Sequence, residues 1–130
     1  MPGFNYFHDS MGRLNGMKNK TNSSFPNIWE WVKDVEYGPA GEMKQMKHRL
    51  STGNYYTETR QYNALLQLTR MTATGPSVPS VDLEYLFPGQ NNGRISGMKD
   101  HVTGEEVEYT YDALNRLTRA ETIGRDGGCL

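Results

Sequence analysis

VEYTYDALNRLTRA, residues Val107–Ala120, is the stretch that decides the fold of this chain. In its first half, β-branched and aromatic residues alternate with polar ones, which is the period of a half-buried strand. Asp112 can hydrogen-bond its own backbone and Asn115 tolerates the left-handed conformation, so the next segment favours a type I turn with a bulge. Residues 116–120 then predict the returning strand. The stretch is therefore interpreted as a β-hairpin.

A helix is the alternative for this stretch. Leu114, Leu117 and Ala120 fall at helical spacing, and Asp112 could serve as the N-cap. Taken alone, the segment fits both structures, and the decision rests on other stretches of the chain that resemble it.

Five copies of the unit align on the apolar residue that follows the turn. These anchor residues are Leu14, Met43, Leu68, Ile95 and Leu117, separated by 29, 25, 27 and 22 residues. Two positions before the anchors stand Gly12, Gly41, Leu66, Gly93 and Asn115. Five positions before them stand Asp9, Gly38, Asn63, Gln90 and Asp112. A glycine within the unit would weaken a helix by about 1 kcal/mol relative to alanine, whereas a hairpin turn uses its freedom. The copies therefore favour an all-β array of antiparallel β-hairpins.

The chain is predicted to be a single repeat array over residues 1–130. The first copy, Phe4–Met17, is followed by a loop insertion near residues 18–34, and Val35–Met46 forms the second copy. The end from about residue 123 is expected to be frayed.

The later copies are less regular. In the third copy, Thr59–Met71, Leu66 replaces the expected glycine, so a hairpin and a helix both remain open for Ala64–Thr72. A proline-rich connection near residues 74–80 is predicted to be a loop. The fourth copy, Leu83–Met98, has a lengthened turn.

Composition bounds the class of protein. With 130 residues, 35% of them hydrophobic, and a mean hydropathy of −0.76, one domain with a thin core is expected. The net charge of −1 and the pI near 6.3 argue against nucleic acid or an anionic membrane as a partner. Neither a signal peptide nor a membrane span is recognised. The single cysteine, Cys129, cannot form an internal disulfide and is expected to be an exposed thiol.

Two segments carry candidate binding residues. In a strand over residues 28–32, Trp29 and Trp31 would share one face, where the simple interpretation is packing against the core or a sheet edge. The alternative is a stacking platform for sugar rings, which would make a surface glycan the ligand. The basic run Lys47–Arg49 predicts a solvated strand end rather than a polyanion site.

No constellation for catalysis or metal binding is found in the sequence. His8 precedes Asp9 and Asp100 precedes His101, but neighbouring residues of a strand point to opposite faces. Asp9 and Asp112 occupy a turn position where a carboxylate hydrogen-bonds the backbone. A nucleophile elbow, a phosphate-binding glycine loop and a zinc-type cysteine pair are all lacking. A non-catalytic protein with no cofactor and no metal is expected.

The pattern Tyr-x-Tyr-Asp-x-x-Gly/Asn-Arg-Leu resembles the signature of YD repeats. These are the tandem units of bacterial Rhs and wall-associated proteins, also found in insecticidal toxin complexes and animal teneurins. The last copy carries the signature in full and the first copy nearly so. The residues that match it across the five copies are Tyr6, Asp9, Gly12, Arg13, Leu14, Tyr37, Gly41, Asn63, Leu68, Tyr85, Gly93, Arg94, Ile95, Tyr109, Tyr111, Asp112, Asn115, Arg116 and Leu117.

The resemblance implies an open segment of a spiral β-shell that, in long family members, encloses a C-terminal toxin or a cleaved peptide. It implies a structural and interaction module whose partners are further YD repeats, a toxin cargo or a surface glycan. An array that does not close also leaves unpaired backbone groups at its edges, which predicts pairing with a second copy. It also implies a secreted or cell-surface location. Five repeats are too few to close around a cargo, and neither the Asp-Pro-x-Gly-Leu element of self-cleaving Rhs cores nor a following toxin domain is recognised. A fragment of an Rhs-type shell is therefore expected.

Overall fold

The computed structural model describes residues 3–76, 78–90 and 92–125. Its strands are β1 (Phe4–His8), β2 (Leu14–Asn19), β3 (Glu30–Tyr37), β4 (Met43–Ser51), β5 (Asn54–Tyr62), β6 (Leu68–Gly75), β7 (Val78–Leu86), β8 (Gly97–Asp100), β9 (Glu105–Tyr111) and β10 (Leu117–Arg125). They form one ten-stranded sheet whose order follows the chain from β1 to β10. The predicted all-β array of antiparallel hairpins is confirmed.

The two stretches for which a helix was the alternative are both hairpins. Within Val107–Ala120, β9 and β10 pair antiparallel, with Leu117 opposite Tyr111. In the third copy, β5 ends at Tyr62 and β6 begins at Leu68, so Ala64–Thr72 contains a turn and a strand. The anchor residue begins the returning strand in four of the five copies, which explains why the copies align on it.

The connections are shorter than predicted. Between β2 and β3 only residues 20–29 lie outside the strands, and Asn22 and Phe25 form a β-bridge there. The loop prediction for residues 74–80 is wrong for most of that segment, because β6 runs to Gly75 and β7 begins at Val78. A proline near the start of a strand costs little pairing, so Pro79 does not prevent the strand.

The prediction of a frayed end from about residue 123 is wrong for residues 123–125, which belong to β10. β10 continues to Arg125 because β9 provides pairing partners as far as Glu105. Residues 126–130, and with them Cys129, lie outside the described part of the chain. The expected exposed thiol therefore stays a prediction.

The chain divides into two compact units. The first comprises Met1–Thr59 and Ala73–Pro79, and it contains β1 to β4 with most of β5. The second comprises Arg60–Thr72 and Ser80–Leu130, and it contains β8 to β10. The organisation of the chain as a single array stays a prediction.

The core is thin. Among the described residues, Ala73 is the buried hydrophobic residue and no large side chain is fully buried. Charged pairs across neighbouring strands supplement the apolar contacts, as where Arg70 donates two hydrogen bonds of 2.8 Å to the carboxylate of Asp82. Burial of apolar area is thus spread over a wide surface instead of a compact centre.

Candidate functional site

Four of the five repeat turns have one backbone geometry. The N–H of the fourth turn residue donates to the carbonyl of the first at 3.0 Å, and the N–H of the first donates to the carbonyl of the fifth at 2.7–3.0 Å. These turns begin at Asp9, Gly38, Asn63 and Asp112. The pattern is that of the predicted type I turn followed by a bulge.

The fourth turn position has a positive φ in every copy. The angles are 78° at Gly12, 87° at Gly41, 60° at Leu66, 87° at Gly93 and 62° at Asn115. The prediction from the turn chemistry is confirmed, and it extends to Leu66, where a leucine occupies a conformation that normally favours glycine or asparagine.

An aspartate at the first turn position holds the turn together. Oδ1 of Asp112 accepts hydrogen bonds of 2.9 Å from the N–H groups of Leu114 and Arg116, and Oδ2 accepts one of 2.7 Å from Nε of Arg116. The same three bonds surround Asp9 in the first copy. The backbone N–H of Arg116 is the main cause that lowers the pKa of the Asp112 carboxyl below its ordinary value.

The third copy makes the same contacts with neutral groups. Oδ1 of Asn63 accepts from the N–H of Leu65 at 2.9 Å and from that of Gln67 at 3.0 Å, while its Nδ2 donates to Oε1 of Gln67 at 2.7 Å. Asparagine and glutamine thus replace the aspartate and arginine of the signature. The sequence left this turn open because Leu66 stands where glycine is expected, whereas the paired replacements at Asn63 and Gln67 keep the contacts of the turn.

The second copy supplies its carboxylate from the other side of the turn. Glu42 stands where the signature has arginine, and its Oε2 accepts from the N–H of Ala40 at 3.0 Å. A Cβ atom on Gly38 would lie 1.7 Å from Oε1 of Glu42. A glycine at position 38 therefore leaves space for the glutamate to take over the role of the aspartate.

The fourth copy uses a residue that the sequence alignment did not identify. Gln90 was aligned with the first turn position, but Oδ1 of Asn92 accepts from Nε of Arg94 at 3.0 Å. Nη1 of the same arginine donates to Oδ1 of Asn115 at 2.8 Å, which connects the fourth turn to the fifth. The sequence alignment missed Asn92 because it assumed that the first turn residue stands five positions before the anchor Ile95, and the turn of the fourth copy departs from that spacing.

Tyrosines connect consecutive repeats. The hydroxyl of Tyr37 donates to the carbonyl of Leu14 at 2.7 Å, and the guanidinium of Arg13 lies 4.5 Å from the centre of the same ring. This contact joins the strand residue directly before one turn to the turn of the preceding hairpin. The phenol contributes a hydrogen bond and its ring face attracts the cation.

The second such contact lies between the fourth and fifth copies. Tyr111 donates to the carbonyl of Ile95 at 2.9 Å, and the guanidinium of Arg94 lies 5.1 Å from its ring centre. The equivalence of the two contacts explains why tyrosine, arginine and an apolar anchor occur together in the signature. None of the three roles could be assigned from one copy alone.

Not every signature residue takes part in such a contact. Leu68, Tyr85 and Gly93 line an apolar cleft of about 230 Å³ together with Phe87 and with Ile95, whose carbonyl also accepts the Tyr111 hydroxyl. Tyr6 is 58% exposed on β1. Tyr109 donates its backbone N–H to the carbonyl of Ser96 at 3.0 Å and lies in strand β9.

The two tryptophans contact each other where the connection between β2 and β3 ends, since Trp29 is its last residue and Trp31 lies in β3. Their ring centres lie 5.9 Å apart with the planes at 69°, and the guanidinium of Arg49 lies 5.0 Å from the ring centre of Trp29. Trp29 is 38% exposed and lines a cleft of about 180 Å³ with Phe25 and Asn19. The buried Nε1 of Trp31 has no hydrogen-bond partner among the described residues.

The basic run lies within β4 and not at a strand end, and two of its residues have acidic neighbours. Nζ of Lys47 donates to Oδ2 of Asp34 at 2.8 Å, and Nε2 of His48 lies 3.3 Å from Oε2 of Glu58. Lys47 and His48 thus lie beside carboxylates of neighbouring strands while their side chains stay 34% and 43% exposed.

The described residues contain no group of three or more histidine, cysteine, aspartate or glutamate residues that could hold a metal ion. His101 lies 2.7 Å from Oε2 of Glu84, so this histidine pairs across strands instead of with its neighbour Asp100. Over the same residues, no helix has the length and apolarity of a membrane span.

The outer strands β1 and β10 are the open edges of the sheet. All five residues of β1 are exposed, among them Phe4 at 41% and Phe7 at 44%. Such edges present unpaired backbone groups to other strands.

Comparison with solved structures finds this arrangement of hairpins in the Tc holotoxin pore of Photorhabdus luminescens. The match has a TM-score of 0.73 and 22% sequence identity, and it covers 90% of this chain and 6% of that chain. The two chains share a fold. No protein-family model matches the sequence, and no curated protein matches it. Insecticidal toxin complexes belong to the proteins that the YD-repeat resemblance names, so the likeness agrees with the fold that the resemblance implies.

Proposed function

We propose that this chain is a non-catalytic structural module, one segment of an Rhs-type repeat shell that in long relatives encloses or presents a toxin. The observation that carries the proposal is the tyrosine–arginine contact between consecutive repeats. It occurs at Tyr37 with Arg13 and again at Tyr111 with Arg94. A contact that recurs between successive repeats, here the first with the second and the fourth with the fifth, suits a sheet that is extended by adding hairpins.

The use of the charged residues supports a structural role. The carboxylates of Asp9 and Asp112 are engaged by the backbone and by an arginine of their own turns. The bidentate pair of Arg70 and Asp82 connects strands in the same way. Groups held by such bonds stabilise the hairpins and are not disposed for proton transfer to a substrate.

The toxin cargo, the bacterial origin and a secreted or cell-surface location belong to the proposal. They are supported by the fold shared with the Tc holotoxin pore, of which this chain spans 6% of the length. A sheet with two open edges needs further strands to form an enclosure.

The test is to read the coding sequence on both sides of the segment that encodes this chain. We expect in-frame copies of Tyr-x-Tyr-Asp-x-x-Gly-Arg-Leu on at least one side and a separate domain after the last copy. Stop codons directly at both ends, with no toxin gene nearby, would contradict the role as a shell segment.

A small carbohydrate-binding module is the second candidate, because Trp29 is partly exposed at a cleft. The aromatic platform would offer a ring face to a sugar. Fluorescence titration with a panel of glycans tests this function, with Trp29→Phe as the matched variant. A saturable shift that the variant loses would favour the binding module, whereas fluorescence unresponsive to every glycan would favour packing.

A further inference from the structure

Two of the repeat junctions within the chain show which groups an occupied tyrosine contact requires. Each consists of the carbonyl of an anchor residue and the arginine directly before it, and each receives a tyrosine of the next hairpin. The acceptor carbonyls belong to Leu14 and Ile95, at 2.7 and 2.9 Å from the tyrosine hydroxyls. The tyrosine is in both cases the residue directly before the next turn, which begins at Gly38 or Asp112.

The last copy presents the same pair at the open edge of the sheet. Arg116 precedes the anchor Leu117, the arginine side chain is 73% exposed and the leucine is 55% exposed. No tyrosine is recorded in contact with this pair among residues 3–76, 78–90 and 92–125. Nε of Arg116 is already held by Asp112, as Nε of Arg13 is held by Asp9 in the occupied contact of the first copy.

The register indicates that the carbonyl of Leu117 points to the edge. Leu117 lies opposite Tyr111 in the hairpin of β9 and β10, as Leu14 lies opposite His8 in the hairpin of β1 and β2. The carbonyl of Leu14 accepts its hydroxyl from β3, on the side of β2 away from β1. By the same geometry, the carbonyl of Leu117 is directed away from β9.

We propose that Arg116 and the carbonyl of Leu117 form a binding site for a tyrosine of an added β-hairpin. The partner is a strand that pairs with β10 and ends in tyrosine directly before a four-residue turn whose last residue has a positive φ, as Gly41 and Asn115 have. This inference rests on the proposed function and names the chemistry that selects the next repeat. The backbone of an edge strand can pair with any strand. This site adds two selective groups at one register, the carbonyl of Leu117 that accepts the tyrosine hydroxyl and the guanidinium of Arg116 that contacts the ring.

The first strand of a second copy does not fit this site. The residue directly before its turn is His8, and the tyrosine of β1, Tyr6, stands two positions too early. An imidazole is shorter than a phenol and places its donor nearer the backbone, so His8 would not span the distance that the Tyr37 hydroxyl spans. The edge is therefore specific for a hairpin of the tyrosine type.

The experiment duplicates residues 101–122 of the full chain directly after Thr122. The inserted Tyr111 then follows Leu117 by 16 residues, the spacing that separates Tyr111 from Ile95 in the natural chain. Urea unfolding compares the duplicated chain with the natural one. We expect a higher unfolding midpoint for the duplicated chain, because β10 gains a paired strand.

Substitutions in the duplicated chain test the site itself. Tyr111→Phe in the inserted copy should lower the folding equilibrium constant about three- to ten-fold through the lost hydroxyl bond, and Tyr109→Phe there is the matched control. Arg116→Gln in the inner copy should cost about two- to five-fold more than in the outer copy, which has no added tyrosine. If Tyr111→Phe in the inserted copy and Arg116→Gln in the inner copy both equal their controls while the duplication stabilises, the tyrosine site is wrong and the proposed function stands. A duplicated chain that is no more stable than the natural one would contradict both the tyrosine site and the proposed function.

Discussion

At the scale of single residues, the turn signature is a set of hydrogen-bond roles that different side chains can fill. The carboxylate of Asp112, the amide of Asn63 and the carboxylate of Glu42 all satisfy backbone N–H groups of their turns. The roles at Asp9 and Asp112 could be predicted from the sequence, because aspartate at the start of a turn hydrogen-bonds its own backbone. The role of Glu42 could not, since it depends on a glycine leaving room at position 38.

Replacing Leu66 by glycine should stabilise the protein. Leu66 has a φ of 60° and is 53% exposed, so the substitution removes backbone strain and costs little buried area. We expect a gain of about 0.5–1 kcal/mol in the free energy of unfolding, measured by urea denaturation. Leu65→Gly is the matched control in the same turn and should destabilise, because Leu65 does not have a positive φ. Equal effects of the two variants would contradict the turn geometry.

The turn aspartates should make the protein sensitive to acid. Backbone N–H donors and Arg116 lower the pKa of Asp112 in the folded state, so its contribution to stability is fully present above the ordinary aspartate pKa of about 3.9 and is lost as the pH falls through the folded value. Asp112→Asn should give a shallower loss of stability below about pH 4. Asn63→Asp should give a steeper one, because it introduces a carboxylate at the same turn position. Thermal melting from pH 2 to pH 7 measures both slopes, and unchanged slopes would contradict the role of the carboxylate.

At the scale of the elements, the strands could be predicted because their alternation and turn residues are local. The contact of Tyr37 with Leu14 could not be predicted, because the two residues are 23 positions apart in the sequence and meet only through the register between two hairpins. The strand around Pro79 could not be predicted for a related reason. Proline predicts a loop when read alone, and pairing with neighbouring strands extends β7 through it.

The tyrosine contact between repeats should contribute to stability. Tyr37→Phe removes the hydroxyl that donates to the carbonyl of Leu14 and should cost about 0.5–1.5 kcal/mol in the free energy of unfolding. Tyr6→Phe is the control, because Tyr6 is 58% exposed and its hydroxyl has no hydrogen-bond partner in the part of the chain that the structure describes. Urea denaturation compares the two variants. A loss no larger for Tyr37→Phe than for Tyr6→Phe would show that the hydroxyl bond does not hold the repeats together.

At the scale of the whole molecule, the sequence predicted that neighbouring hairpins stay neighbours in the sheet, because consecutive antiparallel strands pair when their connections are short. The division into two compact units could not be predicted, since the repeats continue on both sides of it. The outer strands β1 and β10 each have one side that no other strand of the described sheet pairs with. The edges differ in protection: β10 carries the ion pair of Arg119 with Glu121, whereas β1 carries no lysine or proline.

This difference predicts a closed dimer of the isolated chain. Two β1 strands can pair antiparallel about a twofold axis, which uses the unprotected edge of each copy and leaves no reactive edge between them. Pairing of β1 with β10 would instead leave an open edge on each added copy and would produce growing chains. Light scattering after size exclusion, over a concentration series, should therefore show a mass that rises to that of a dimer and stops there. Tyr6→Lys on β1 should shift the equilibrium towards monomer, and Ala120→Lys on β10 should leave it unchanged. Growth beyond the dimer, with both lysine variants equally effective, would instead show head-to-tail pairing, and a monomer at every concentration would show that β1 is not a reactive edge.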